Sequence, residues 1–113
     1  MNKRTIGKER EEAACAFLKR QGMEIAERNF NCRQGEIDII AKDHGYLVFV
    51  EVKYRKNKEL GHPEEAVDFR KAEKIRRVAL YYRMRHGLSE NTPVRFDVVA
   101  IEGEKIRHYR NAF

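Results

Sequence analysis

One segment constrains the fold of this 113-residue chain more than any other, and it spans residues 47–52. It reads Leu-Val-Phe-Val-Glu-Val, so apolar residues follow one another at its start without alternating with polar ones. A strand with one face in water shows such alternation, whereas a strand covered on both faces does not need it. The segment therefore predicts the central strand of a sheet that is covered on both sides.

Two helices are predicted, one before and one after this strand. Apolar residues at helical spacing indicate the first over residues 5–21, and Gly22 is a natural stop. The second is predicted over residues 63–86, because Pro63 suits the first helical position and the two acids after it suit the helix dipole. Its predicted buried face consists of Val67, Ile75, Val78, Ala79 and Tyr82.

Strands are predicted over residues 23–30, 36–42, 46–54 and 94–101, and residues 105–110 form either a short strand or a tail. Short connections make the first three strands an antiparallel meander, and the long helix returns the fourth strand parallel to the third. The predicted fold class is α/β, with the order α-β-β-β-α-β and a mixed sheet flanked by helices. The length suits a single domain over residues 1–113.

Charge and cysteine content limit the partners and the compartment. The chain has 24 Lys and Arg against 18 Asp and Glu, a net charge of +6 that attracts polyanions such as nucleic acid. Solubility alone explains the same excess. Neither an apolar run of membrane-spanning length nor a secretory signal is found. Cys15 and Cys32 lack zinc-site spacing, which predicts reduced thiols in a cytoplasmic protein.

The residues that point to chemistry lie in the hairpin formed by the second and third strands. Glu51 and Lys53 are two positions apart, so they share one face of their strand. If positions 44–45 form a two-residue loop, Asp38 falls directly opposite Glu51, with Cβ atoms about 4.5–5.5 Å apart. A one-residue slip of the register would instead set Ile37 opposite Glu51 and separate the two acids.

Two opposed carboxylates in a covered sheet repel each other, and a divalent cation between them relieves that repulsion. Mg²⁺ is usually bound by one or two carboxylates together with water and phosphate oxygens, so Asp38 and Glu51 are candidate ligands for Mg²⁺ or Mn²⁺. Lys53 beside them would position the attacking water or stabilise developing charge. The pattern suits phosphodiester hydrolysis. The alternative is a solvated Glu51–Lys53 ion pair, with Asp38 as a surface acid.

Four features of the chain form a recognisable set: Glu11 in the first helix, Gly-Glu-Ile-Asp at 35–38, Phe-Val-Glu-Val-Lys at 49–53, and Gly-His-Pro-Glu-Glu-Ala-Val at 61–67. Together they resemble the YraN-type family of uncharacterised bacterial proteins, over residues 7–101. That family is similar to the PD-(D/E)XK nuclease superfamily and closest in layout to archaeal Holliday junction resolvases, whose fold is restriction-endonuclease-like. The chain departs from the family at Arg10, where Gly is usual, and from the superfamily at Ile37, where Pro is usual.

The resemblance implies that Asp38 and Glu51 bind Mg²⁺ and that Lys53 is the catalytic lysine. It also implies that Glu11 reaches the site as a further catalytic and metal-binding residue. Spacing alone does not separate Glu11 from the other acids of its helix, and a solvated helix face is the alternative.

The implied activity is that of a Mg²⁺-dependent DNA endonuclease, with branched, Holliday-junction-like DNA as a candidate substrate. A homodimer would supply the two sites that two cuts require. Two competing functions stay open. One is a nucleic-acid-binding module of the same fold with little or no cleavage, and the other is hydrolysis of a different phosphate ester.

Six basic residues are candidates for contacts with a nucleic-acid backbone. Three follow the proposed site directly in the sequence, namely Arg55, Lys56 and Lys58. Three more belong to the second helix, namely Lys71, Lys74 and Arg77. For any single one of them, a position on a solvated surface explains the charge equally well.

Overall fold

The computed structural model describes residues 3–55 and 67–113, which build one five-stranded mixed sheet and two helices. The elements are α1 (Lys3–Arg20), β1 (Glu24–Cys32), β2 (Gly35–Asp43), β3 (Tyr46–Arg55), α2 (Phe69–Arg85), β4 (Val94–Glu102) and β5 (Lys105–Tyr109). The order α-β-β-β-α-β-β confirms the predicted fold class. It also shows that the residues after 104 form an extra strand, and it is consistent with a restriction-endonuclease-like core.

The strands lie in the sheet in their sequence order, β1-β2-β3-β4-β5. The first three form the predicted antiparallel meander. The crossover through α2 brings β4 back parallel to β3, with pairing from Leu47↔Val94 to Arg55↔Glu102. Because β5 pairs antiparallel with β4, β3 has two strands on one side and two on the other. The apolar segment is therefore the central strand.

The turn between β2 and β3 sets the register of the site hairpin. His44 has φ +50° and Gly45 has φ +90°, as expected for the two-residue turns that match the twist of a hairpin. The pairing runs from Asp43↔Tyr46 to Ile39↔Val50, which is the predicted register. Asp38 and Glu51 would form the next pair, so the two acids stand at the point where the pairing ends.

Each face of the sheet carries its own apolar cluster. On one face, Phe49 and Val98 pack with Val78 and Tyr82 of α2. On the other face, Val50 and Val99 pack with residues of α1, including Leu18 and the free thiol of Cys15. Successive residues of β3 thus enter different clusters, because successive side chains of a strand point to opposite faces. Neither described helix is long and apolar enough to cross a membrane.

The start of the second helix differs from the prediction. Within the described part of the chain, α2 begins at Phe69, and Val67 and Asp68 before it are not helical. The reason is an N-cap: the Asp68 carboxylate accepts a hydrogen bond from the Lys71 N–H at 2.8 Å, which satisfies a free amide of the first turn. The predicted start at Pro63 lies outside the described residues.

Candidate active site

A cavity of about 240 Å³ opens between the sheet and α2, and charged side chains dominate its lining. Glu36 and Asp38 come from β2, Glu51 comes from β3, and the opposite wall is made by α2. The residues of that wall are Lys71, Lys74 and Ile75. Two predicted metal ligands and two predicted phosphate-binding lysines are therefore gathered around one cavity.

Asp38 stands at an irregular point of β2. Ile37 and Ile40 both pack in the cluster on the α2 side, whereas Ile39 packs in the cluster on the α1 side, so the alternation of faces is interrupted here. On the neighbouring strand, Asn29 between Arg28↔Ile39 and Phe30↔Ile37 has φ +51°. Local irregularities of strand pairing, such as β-bulges, are a common way to redirect a side chain.

The Asp38 carboxylate accepts a hydrogen bond from the Val52 N–H at 2.8 Å. Burial first, and then the negative charge of Glu51, raise the pKa of Asp38 to about 7, although the Val52 N–H opposes the rise. Glu11 and Glu36 add further negative charge. Asp38 is thus a carboxyl group whose surroundings disfavour its ionised form when no added cation is present.

Glu51 is the most deeply buried acid of the cavity, with its side chain only 8% exposed. Its Oε1 lies 2.6 Å from Lys71 Nζ and 3.4 Å from Lys53 Nζ. The contact with Lys53 agrees with the predicted shared face. The contact with Lys71 was not predicted, and it makes this α2 residue part of the acidic site as well as a candidate for phosphate binding.

The pKa values of the two lysines are shifted in opposite directions. Burial, followed by the neighbouring Lys71 ammonium, lowers the pKa of Lys53 despite the attraction of Glu51. Burial also opposes the charge of Lys71, but its hydrogen bond and charge attraction to Glu51 prevail and raise the pKa of Lys71. Lys53 therefore releases its proton more readily than an ordinary lysine, and Lys71 holds its proton more firmly.

Glu11 belongs to α1 and is not among the described residues that line the cavity. It is half-buried, and its Oε1 is buried without a hydrogen-bond partner among the described residues. Its negative charge contributes to the raised pKa of Asp38, after the larger effects of burial and Glu51. Within residues 3–55 and 67–113, however, no three His, Cys, Asp or Glu side chains form a group with metal-binding geometry. The Arg10 guanidinium lies over the Tyr54 ring, 3.3 Å from its centre.

The remaining predicted nucleic-acid contacts divide into three groups. Lys74 lines the cavity, and its stem packs so closely over Gly35 that a Cβ there would lie 3.1 Å from Lys74 Cε. Arg77 lies on the exposed face of α2 and pairs with Glu73 at 3.6 Å. The Arg55 side chain, Lys56 and Lys58 lie outside the described residues.

A second charged cluster was not predicted from the sequence. Asp97 of β4 is fully buried and bonds the Arg95 guanidinium at 2.9 Å and His108 Nε2 at 2.7 Å. Asp97 also accepts a hydrogen bond from the Asn111 N–H, and Arg95 forms a second ion pair, with Asp43, at 3.0 Å. An acid inside the apolar run of β4 was the available sequence signal. These contacts join β4 to β5 and to the β2–β3 turn, and Asp97 pairs with Val50, the residue directly before Glu51.

Comparisons with known proteins identify the family of this chain. Residues 10–101 match the family described as "Uncharacterised protein family UPF0102". A UPF0102 protein of Lachnoclostridium phytofermentans is 51% identical over all of this chain and 96% of its own length. One of Thermodesulfovibrio yellowstonii is 46% identical over 96% of this chain and 95% of its own. A third, of Clostridioides difficile, is 44% identical over the whole of both chains. The chain therefore belongs to the UPF0102 family.

Proposed function

We propose that this chain is a metal-dependent nuclease that hydrolyses phosphodiester bonds of DNA. The observation that carries the proposal is a pair of carboxylates, half-buried Asp38 and buried Glu51, which face one cavity beside Lys53. A protein that only needed a stable sheet would gain from apolar residues at these positions, because buried like charges are costly. Their presence indicates a role that requires negative charge.

The residues fit Mg²⁺ or Mn²⁺, since both favour oxygen ligands and Mg²⁺ commonly uses one or two carboxylates with water and phosphate. Asp38 and Glu51 would hold the ion, with Glu11 beside them. A cation near these acids would oppose the rise in the pKa of Asp38 and would give a partner to Glu11 Oε1, which has none among the described residues. A bound ion would polarise the phosphoryl group and lower the pKa of a bound water.

The chain's own lysines have separable tasks in this proposal. Lys53 stands next to Glu51, so its ammonium is placed to stabilise the charge that develops on the phosphorus oxygens. Lys71 and Lys74 form the opposite wall and would bind non-bridging phosphate oxygens. The net charge of +6 would draw in the substrate. Branched DNA is the first substrate to test, with a homodimer supplying paired cuts.

One observation favours a second candidate function. Glu51 already has a protein cation at 2.6 Å in Lys71, so part of the acidic charge is neutralised without a metal. This is what a nucleic-acid-binding module with little or no cleavage would have. Such a module would use the lysines of the cavity for phosphate contacts and would treat the acids only as their partners.

The deciding experiment compares four-way, flap and linear DNA in Mg²⁺, Mn²⁺ or EDTA. The wild type is assayed beside Asp38→Asn, Lys53→Ala and Glu11→Gln, with Glu12→Gln as the control because Glu12 is exposed on the same helix. Metal-dependent cutting that is lost in the first two variants and kept in the control supports the nuclease. DNA binding without cutting, equal in all variants, supports the module. Absence of both binding and cutting contradicts both functions.

A further inference from the structure

The pairing of Lys71 with Glu51 points to a role beyond phosphate binding. We propose that Lys71 is a built-in counter-ion that occupies Glu51 until a divalent cation displaces it. The displaced ammonium then becomes available to the substrate phosphate. The inference rests on the proposed metal site, and it deepens that proposal by assigning one residue the control of metal affinity.

The two acids of the site differ in their contacts with lysines. The ammonium groups of Lys53 and Lys71 both contact Glu51. Asp38 instead accepts the Val52 N–H. The acid pair is therefore neutralised from one side only, and the closer of the two cations is supplied by a different element, α2.

The Lys71 side chain reaches solvent, so its ammonium can move away from Glu51. Its side chain is 40% exposed, whereas that of Glu51 is 8% exposed. Its backbone is fixed, because the Lys71 N–H is bound by the Asp68 carboxylate at the start of α2. A flexible four-carbon stem on a fixed backbone can move its ammonium from Glu51 to a phosphate without moving the helix.

Lys71 and a metal ion would compete for the same oxygen, Oε1 of Glu51. Lys71 Nζ lies 2.6 Å from Glu51 Oε1, and a Mg²⁺ ligand oxygen lies about 2.0–2.1 Å from the ion. Two cations at those distances from the same oxygen would repel each other strongly inside a protein. A metal ion bound to Glu51 Oε1 therefore requires Lys71 to leave, so the ion pair with Lys71 lowers the affinity for metal at this oxygen.

The test measures Mn²⁺ binding without DNA, by isothermal titration calorimetry on the metal-free full-length protein. The key variant is Lys71→Met, and the matched control is Lys74→Met, which removes the same charge from the same cavity wall without a Glu51 contact. We expect Lys71→Met to bind Mn²⁺ roughly 10-fold more tightly than the wild type, and Lys74→Met less than about 3-fold more tightly.

Lys71→Gln provides a second variant if Lys71→Met does not fold, and Lys71→Arg, which keeps the charge, is expected to bind like the wild type. Equal affinities for the wild type and Lys71→Met would overturn the counter-ion role while leaving the metal site intact. Equal gains in Lys71→Met and Lys74→Met would overturn it too, since they would reflect net charge alone. If no protein in the series binds Mn²⁺, the proposed metal site fails together with this inference.

Discussion

The Asp38 carboxylate and the Val52 amide are joined by a hydrogen bond of 2.8 Å, just beyond the last β2–β3 pair, Ile39↔Val50. An acid of the candidate site therefore also supports the backbone at the place where two strands separate. The charge and the hydrogen-bonding capacity of this side chain make different contributions to stability. Two substitutions at Asp38 distinguish them.

Removing only the charge of Asp38 should stabilise the metal-free protein above neutral pH. The folded-state pKa of about 7 lies above the unfolded value of about 3.9, so the folded state binds this proton more tightly. The stability that Asp38 contributes is complete at low pH and is lost as the pH rises from about 4 to 7. We expect Asp38→Asn to be more stable than the wild type at pH 8 in EDTA by about 1–3 kcal/mol.

Urea denaturation at pH 8 and at pH 4.5 checks this, and the difference should be much smaller at the lower pH. The exposed Glu12→Gln change serves as the control and should show no such pH dependence. A variant that is less stable than the wild type at pH 8 would contradict the assignment of a repelled carboxylate.

Removing the hydrogen bond as well should offset much of that gain. The Asp38→Ala variant leaves the Val52 N–H without its acceptor in a partly buried place, whereas an amide oxygen can still accept it. An unsatisfied buried donor costs about 1–3 kcal/mol, so we expect Asp38→Ala to be less stable than Asp38→Asn by that amount at any pH between 5 and 8. Equal stabilities for the two variants would show that the bond contributes nothing.

Asp97 should be among the acids that matter most for stability. It is 0% exposed and bonds Arg95, His108 and the Asn111 N–H, so its loss leaves His108 and that amide without this acceptor and Arg95 with only Asp43 as an acidic partner among the described residues. We expect Asp97→Ala to destabilise the fold by about 3–5 kcal/mol at pH 7, measured by urea denaturation.

The same contacts set the pH dependence of that effect. Burial alone would raise the pKa of Asp97, but the bonds from His108 and Arg95 outweigh it and lower the pKa. The stability from Asp97 is therefore present above its unfolded pKa and is lost as the pH falls below about 4. The wild type and the variant should converge in acid, and a constant difference down to pH 2.5 would refute this explanation.

The N-cap of α2 should have a smaller and more local effect. The Asp68 side chain accepts the Lys71 N–H at 2.8 Å, so Asp68→Ala should cost about 1 kcal/mol, seen as a lower urea midpoint. Asp68→Asn is the matched control, because asparagine is an equally good cap, and it should keep most of the stability. If the two variants lose equal stability, the cap is not the source of the effect.

The register of the site hairpin was predictable because it depends on local chemistry. Two turn positions with positive φ, His44 and Gly45, fix which residues of β2 and β3 face each other. The end of the pairing at Asp38 was not predictable in that way. It coincides with the positive φ of Asn29 on β1, and short-range sequence patterns do not reveal how an irregularity in one strand affects its neighbour.

The contact between Lys71 and Glu51 was also beyond the sequence. Helical spacing sets Lys71 one turn before the buried Ile75, so its side of the helix was evident. That this side meets Glu51 depends on how the crossover lays α2 across the sheet. The Asp97 cluster was missed for a related reason, since His108 belongs to β5 and the sequence left open whether that segment is a strand.

The sheet topology also determines when the charges of the site meet during folding. Asp38, Glu51 and Lys53 belong to one hairpin, whereas Lys71 arrives with α2, and the pairing of β3 with β4 joins positions as distant as Leu47 and Val94. Closing a short loop loses less chain entropy, so local hairpins tend to precede distant parallel pairing. We therefore expect the refolding chain to bring its two carboxylates together before the ammonium of α2 docks, so that the repulsion between them raises the folding barrier.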